Sequence, residues 1–247
     1  MVHDLLTVAP KTPRARRHEA NLARILDAAM GLIADGGLTG LSMTKLADAV
    51  TYTPGALYRY FPSKDALLSQ LVVRTLTDVR LHGACVLALL PASASPLARV
   101  VALGLAYRAF AKAEPHRFGL LAMTMAEPRI LLEEQADTEP VALAMIAAMQ
   151  PLSDALRIAA EAGLLSAVSR EGELTERTLC LFALLQGMLQ LSKSTRYAPA
   201  LLDVDRLLAR GIRTLLIGWG AHARTVDAAM ARVGSLGDLS RVVGGES

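Results

Sequence analysis

The chain reads as all-α, with helical units in series, on three observations. Apolar residues recur at three- and four-residue spacing over most of its 247 residues. The composition is 53% hydrophobic but only 4% aromatic, as expected of helices packed through Ala, Leu, Val and Met. Proline, glycine and small polar residues fall between the periodic stretches, where helices start and stop. This length supplies core material for one large or two modest domains.

Residues 1 to 18 contain Pro10, Pro13 and the cluster Arg14-Ala15-Arg16-Arg17 without apolar periodicity, which predicts a flexible basic arm. A first helix follows from about Glu19 to Ala34, with the core stripe Leu22, Ile25, Leu26, Ala29 and Ile33. Asp35-Gly36-Gly37 ends it, glycine supplying the left-handed cap. Ser42 then caps a short helix whose inner side is Met43, Leu46, Ala47 and Val50. After a corner at Thr51-Tyr52, Thr53 caps the next helix, and Pro54 takes the first helical position, where a missing N–H costs nothing. Leu57 and Phe61 turn inward, leaving Gly55, Ala56, Tyr58 and Arg59 outside. Pro62 stops this helix, and Ser63 caps a fourth that continues to about Leu90. A bracing helix, a tight corner and a second helix with a small, exposed start are the parts of a helix-turn-helix, whose second helix enters a DNA major groove. The candidate contacts are Thr53, Pro54, Gly55 and Ala56 at base edges, and Tyr58, Arg59, Tyr60 and Lys64 on phosphates. Thr44 and Lys45 on the brace and Arg16 and Arg17 on the arm complete the set.

The stretch from about Ala20 to Val73 resembles the DNA-binding domain of the TetR family of bacterial transcription regulators. The run Gly55-Ala56-Leu57-Tyr58-Arg59-Tyr60-Phe61 followed by Ser63-Lys64-Asp65-Ala66-Leu67 carries most of the resemblance. Leu46-Ala47-Asp48-Ala49 and Ile25-Leu26-Asp27-Ala28-Ala29 with Asp35-Gly36-Gly37 extend it upstream. One departure stands out: the family usually has Gly and then a small aliphatic residue at the turn, where this chain has Thr51 and Tyr52. A β-branched Thr at positive φ is strained by about 1–2 kcal/mol, which favours a different turn geometry here.

Charge distribution agrees with this placement. The net charge is +3, and residues 1 to 74 hold nine basic against six acidic side chains, while the remainder cancels. No apolar run reaches the ~18 residues that cross a bilayer, and no signal-peptide pattern opens the chain. A cytoplasmic protein without a membrane partner is expected. Cys85 and Cys180 lie far apart in apolar helical stretches and are expected to be reduced core residues.

From Leu97 onward the pattern predicts helices over 97–113, 116–126, 141–165, 175–194 and 204–221, with a kink or break near Gln150 ahead of Pro151. Residues 127–139 read as an exposed loop or frayed helix and residues 222–247 as a mobile tail. The expected organisation is therefore an arm (1–18), a three-helix reader (19–73), a helical bundle (74–221) and the tail. The family resemblance implies that the bundle dimerises and senses a ligand. For dimerisation it points to the last two helices, with Leu179, Ala183, Gly187 and Gln190 on one and Leu208, Gly211, Leu215 and Gly218 on the other. Glycine costs about 1 kcal/mol inside a helix, so close helix approach across a two-fold axis is a reason to keep it; drift is the other. For the ligand it points to Tyr107, Phe110, His116, Phe118, Met123, Met145, Met149, Phe182 and Gln186 around a central cavity, although such a stripe is more often plain core.

Catalytic chemistry is not expected. The five histidines have no metal spacing, the cysteines form no CxxC pair, and GxSxG, GxGxxG and P-loop motifs are absent. No cofactor or metal is implied. The expected function is a homodimeric regulator, most simply a repressor, that binds a near-palindromic double-stranded operator and is released by an apolar small molecule. A DNA-binding regulator without an effector, or an activator, is the alternative.

Overall fold

The computed structural model describes residues 12–126, 135–192 and 203–242. Residues 1–11 of the expected arm, 127–134 of the expected loop and 243–247 of the expected tail lie outside that range. The helices are α1 (Pro13–Gly40), α2 (Met43–Ala49), α3 (Pro54–Leu57), α4 (Lys64–Ala88), α5 (Pro96–Ala113), α6 (Pro115–Ala126), α7 (Gln135–Glu161), α8 (Glu173–Leu191), α9 (Val204–Gly218) and α10 (Ala223–Gly234), with a 3₁₀ turn at Leu239–Val242. There is no strand among the described residues. The chain divides into two compact units, Met1–Leu71 and Val72–Ser247, and α4 runs from the first into the second.

In the first unit α1 packs on α2 and α2 on α3. Ile25, Leu26, Ala29 and Ile33 are buried from α1, Met43, Leu46 and Ala47 from α2, Leu57 and Phe61 from the reader, and Leu67, Leu68 and Leu71 from the start of α4. The inward stripes follow the predicted spacing. Helix α1 begins earlier than expected, because Thr12 accepts a hydrogen bond from Ala15 N and Pro13 occupies the first turn. Arg14, Arg16 and Arg17 therefore sit on a helix, which corrects the reading of residues 13–18 as a flexible arm. Gly37 takes φ 64 and interrupts the helix where the cap was expected.

In the second unit α5 is central, contacting α6, α7, α8, α10 and the 3₁₀ turn. Its sequence explains the position: Leu97, Ala98, Val100, Val101, Ala102, Ala106, Ala109 and Phe110 are buried around most of its circumference, so neighbours must cover several sides. Helix α7 continues through Pro140 and Pro151, so of the kink or break expected near Gln150 the break does not occur. The carbonyl that Pro151 leaves without a donor belongs to Ala147, which is exposed, so water can satisfy it, while Leu152, Ala155, Leu156 and Ala159 hold the following turns in the core. The segment Asp137–Glu161 is long and apolar enough to cross a membrane by length and composition, which revises the sequence reading; 22% of its 18-residue apolar window is buried, and the helix packs on α5 and α8. Helix α10 replaces the first half of the expected tail. Val226, Ala229 and Val233 form a short buried stripe, and the helix packs on α5.

Both cysteines are free but exposed, which corrects their assignment to the core. His82 is buried, yet neither ring nitrogen meets hydrogen-bond geometry with a partner.

Candidate functional site

Local signals in the first unit assemble a solvent-facing reader. Ser42 Oγ accepts from Lys45 N at 3.2 Å to start α2, and Thr53 Oγ1 accepts from Ala56 N at 3.2 Å to start α3. Between them Thr51 takes φ 58, with its hydroxyl donating to Val50 O at 2.6 Å. The turn therefore keeps a left-handed geometry in spite of the β-branch. The expected alternative is not adopted: Tyr52 N donates to Ala47 O, the bond that ends a helix over a left-handed residue, here Thr51. The strain, about 1–2 kcal/mol, is carried by the surrounding packing.

With Leu57 and Phe61 buried, Thr53, Pro54, Gly55, Tyr58 and Arg59 are exposed, and Ala56 and Tyr60 are half-buried. Thr44, Lys45, Arg16 and Arg17 are also exposed. Lys64 is half-buried, and its ammonium donates to Leu38 O at 3.3 Å, tying the start of α4 to the end of α1. Three α1 residues at i, i+3 and i+6 hold two reader aromatics. His18 stacks on Tyr60 (centroids 5.1 Å apart, planes 10°), Asn21 Nδ2 donates to the Tyr60 hydroxyl at 3.4 Å, and the Arg24 guanidinium lies 5.2 Å from the Tyr52 ring centre. Tyr52 and Tyr60 stack on each other at 6.0 Å. This ladder gives Tyr52, the unusual turn residue, a packing role. The sequence signal was the His18-x2-Asn21-x2-Arg24 spacing, which places all three on one helical face.

In the second unit a cleft is lined by α4, α5, α6, α7 and α8. Its volume is about 70 Å³, so it is a narrow slot. Tyr107, Met145, Met149 and Phe182 line it as expected. Phe118 stands behind, edge-on to Tyr107 at 5.9 Å, and Gln186 accepts the Tyr107 hydroxyl proton on Oε1 at 2.5 Å. Burial raises the Tyr107 pKa above the ordinary phenol value, so the group stays a neutral donor. Three expected lining residues fall elsewhere: Phe110 is buried in the core, while His116 and Met123 face solvent. Those on the α4 wall, Leu76, Val79, Arg80 and Gly83, were missed; their i, i+3, i+4, i+7 spacing was the available signal.

The residues named for dimerisation divide in two. Leu179, Ala183, Gly187 and Gln190 are exposed along α8. On α9, Leu208 is fully buried in its own chain, and a Cβ on Gly211 would meet the Leu184 side chain at 2.8 Å, so that glycine serves close approach of α8 and α9 within the protomer. Leu215 packs half-buried against the same core, and Gly218 faces open space.

Comparison with known proteins decides the family. Residues 25–71 match the family described as bacterial regulatory proteins, tetR family, and residues 100–215 match the tetracyclin repressor-like C-terminal domain. The chain belongs to the TetR family. This TetR-family chain is 49% identical over 45 residues to the HTH-type transcriptional repressor KstR of Mycobacterium tuberculosis, a match covering 18% of this chain and 20% of KstR. The chain thus spans about a fifth of the length of that relative. Among solved structures it resembles a protein of unknown function from Rhodococcus sp. RHA1 (TM-score 0.65, 22% identity, covering 81% of this chain and 95% of that one). It also resembles RolR in complex with resorcinol (TM-score 0.59, 19% identity, 89% and 97% covered). These structural likenesses show the fold, all-α, and the two family matches make the first unit a tetR-family helix-turn-helix domain and the second a tetracyclin repressor-like C-terminal domain.

Proposed function

We propose that this protein is a homodimeric repressor that holds a near-palindromic operator through Thr53–Tyr60 and lets go when a small molecule enters the cleft of the second unit. The observation that carries the DNA reading is the exposed run Thr53, Pro54, Gly55, Tyr58 and Arg59 beside exposed Lys45, Arg16 and Arg17, above a fully buried Leu57 and Phe61. Small residues at the helix start let the backbone approach base edges, and the cations and phenol suit phosphates. The name of KstR supports repression, and the RolR complex with resorcinol supports a cleft for a small, largely apolar ligand.

For the dimer face, exposed apolar side chains favour α7 with α8 over α8 with α9. Leu143 is 61% and Ile146 63% exposed on α7, and Leu179 is 47% exposed on α8, with Ile146 and Leu179 bordering one groove. The exposed residues of α9 are Asp205, Arg206, Arg210, Thr214 and Gly218, none of them a large apolar side chain. Release is assigned to α4, which lines the cleft at Leu76–Gly83 and begins at Lys64 in the reader. A hundredfold loss of operator affinity needs about 2.8 kcal/mol of coupling, within the usual range.

Selection of bound sequences from random duplex DNA tests the reading. Recovery of a near-palindrome whose half-sites lie one helical turn or a multiple apart is expected. Recovery of no preferred sequence would remove it.

A further inference from the structure

The cleft is lined almost wholly by carbon and sulfur, with one charge. Leu76, Val79, Leu103, Met145, Met149 and Phe182 form most of its walls, and Arg80 is the one charged residue among those that line it. Tyr107 offers the other polar lining group, but its hydroxyl proton is committed to Gln186. Arg80 shares a helical face with Leu76, Val79 and Gly83 and is exposed, the setting in which a long side chain lays its stem on an apolar wall and keeps its charged head in water. Several other arginines of this unit hold carboxylates, among them Arg108 with Asp205, Arg117 with Asp78, and Arg177 with Glu173. Arg80 has no ion-pair or hydrogen-bond partner among the described residues.

We infer that the effector is an apolar carboxylate whose slender or flat body lies in the slot and whose carboxylate is gripped by Arg80 at the mouth. The guanidinium fork matches the two oxygens of a carboxylate, and the methionine walls can shift to admit a thin aliphatic or aromatic body. The narrowness of the slot excludes a bulky body unless those walls move. This inference rests on the effector reading of the cleft and adds the chemical class of its ligand.

The test is calorimetric titration of the full-length protein with two acid–amide pairs, octanoate against octanamide and benzoate against benzamide. The same titrations are run on Arg80→Gln and Arg80→Lys. At least one acid is expected to bind about tenfold more tightly than its amide, as a charge-assisted contact at an exposed edge allows. Arg80→Gln should erase that preference while leaving amide binding within about threefold, and Arg80→Lys should keep part of it. Equal binding of acid and amide, or a preference that survives in Arg80→Gln, overturns the inference and leaves the cleft reading intact. Loss of amide binding in Arg80→Gln overturns it too, since Arg80 would then shape the cleft instead of reading charge. A wild-type protein that takes none of the four compounds overturns both.

Discussion

In the first unit the outward face of the reader comes from neighbours in sequence, Thr53 to Arg59; in the second, the cleft lining is gathered from five helices between Leu76 and Leu185. The reader is specified by short-range chemistry. Two hydroxyl caps, a proline at a first helical position and two inward apolar residues fix which side chains are left outside. The cleft is specified by how α4, α5, α6, α7 and α8 happen to meet, and single residues can enter or leave it without any change in local pattern. The difference teaches where evolution can alter the protein cheaply: the slot can be retuned residue by residue, whereas the reader tolerates little change that keeps its fold.

The largest expected effect comes from a long-range surface. Changing Ile146 and Leu179 together to Glu should convert a dimer to a monomer in sedimentation and reduce operator affinity more than a hundredfold, because two linked half-site contacts become one. A dimer that persists would return the interface to α8 and α9. Next, Tyr58→Ala combined with Arg59→Ala should lower affinity by about 10–100-fold for every DNA sequence alike and flatten its salt dependence, as loss of phosphate contacts requires. Melting temperature should hold, since both side chains are exposed. If affinity fell only for certain sequences, these residues would be base readers and the division of labour within Thr53–Tyr60 would be redrawn.

A smaller effect probes the strained corner. Thr51 stands at φ 58, so Thr51→Gly should stabilise the protein by about 0.5–1 kcal/mol in urea unfolding, the relief of strain being partly offset by the freedom glycine gains when unfolded. Destabilisation would mean that the Thr51 hydroxyl bond to Val50 O outweighs the backbone cost. The smallest effect concerns His82, whose pKa is lowered by burial, opposed by the backbone at Ala106. A base with a depressed folded pKa favours the native state fully above its unfolded value near 6.5, and that contribution is lost as pH falls below it. Stability measured from pH 7 to 5 should therefore drop, and His82→Leu should drop less over the same window. Equal slopes would show that the imidazole finds a partner in solution.

What could be read from sequence follows the same division. The inward stripes of α1 and α2, the caps at Ser42, Thr53 and Ser63 and the exposure of Tyr58 and Arg59 depend on contacts a few residues apart, so spacing alone exposes them. The His18–Tyr60–Tyr52–Arg24 ladder was less visible, because α1 and the reader are separate in sequence and stacking leaves no period. In the second unit, Phe110 and Met123 lie on helices that also serve the cleft, and only the rotation of α5 and α6 in the bundle turns one into the core and the other to solvent. Leu208 and Gly211 could not be told from surface residues by composition; their roles come from α8 lying against α9. At Pro151 propensity alone predicts a kink or a break. Exposure of Ala147, whose carbonyl loses its donor, and a buried run after Pro151 let the helix continue.

The most direct test is the affinity of the full-length protein for the selected duplex and for a scrambled one, measured across a range of salt concentrations. Recognition through Thr53–Tyr60 predicts an affinity for the selected site about a thousandfold or more above the scrambled one, with both falling steeply as salt rises. Equal affinity for the two duplexes, or binding indifferent to salt, would contradict it.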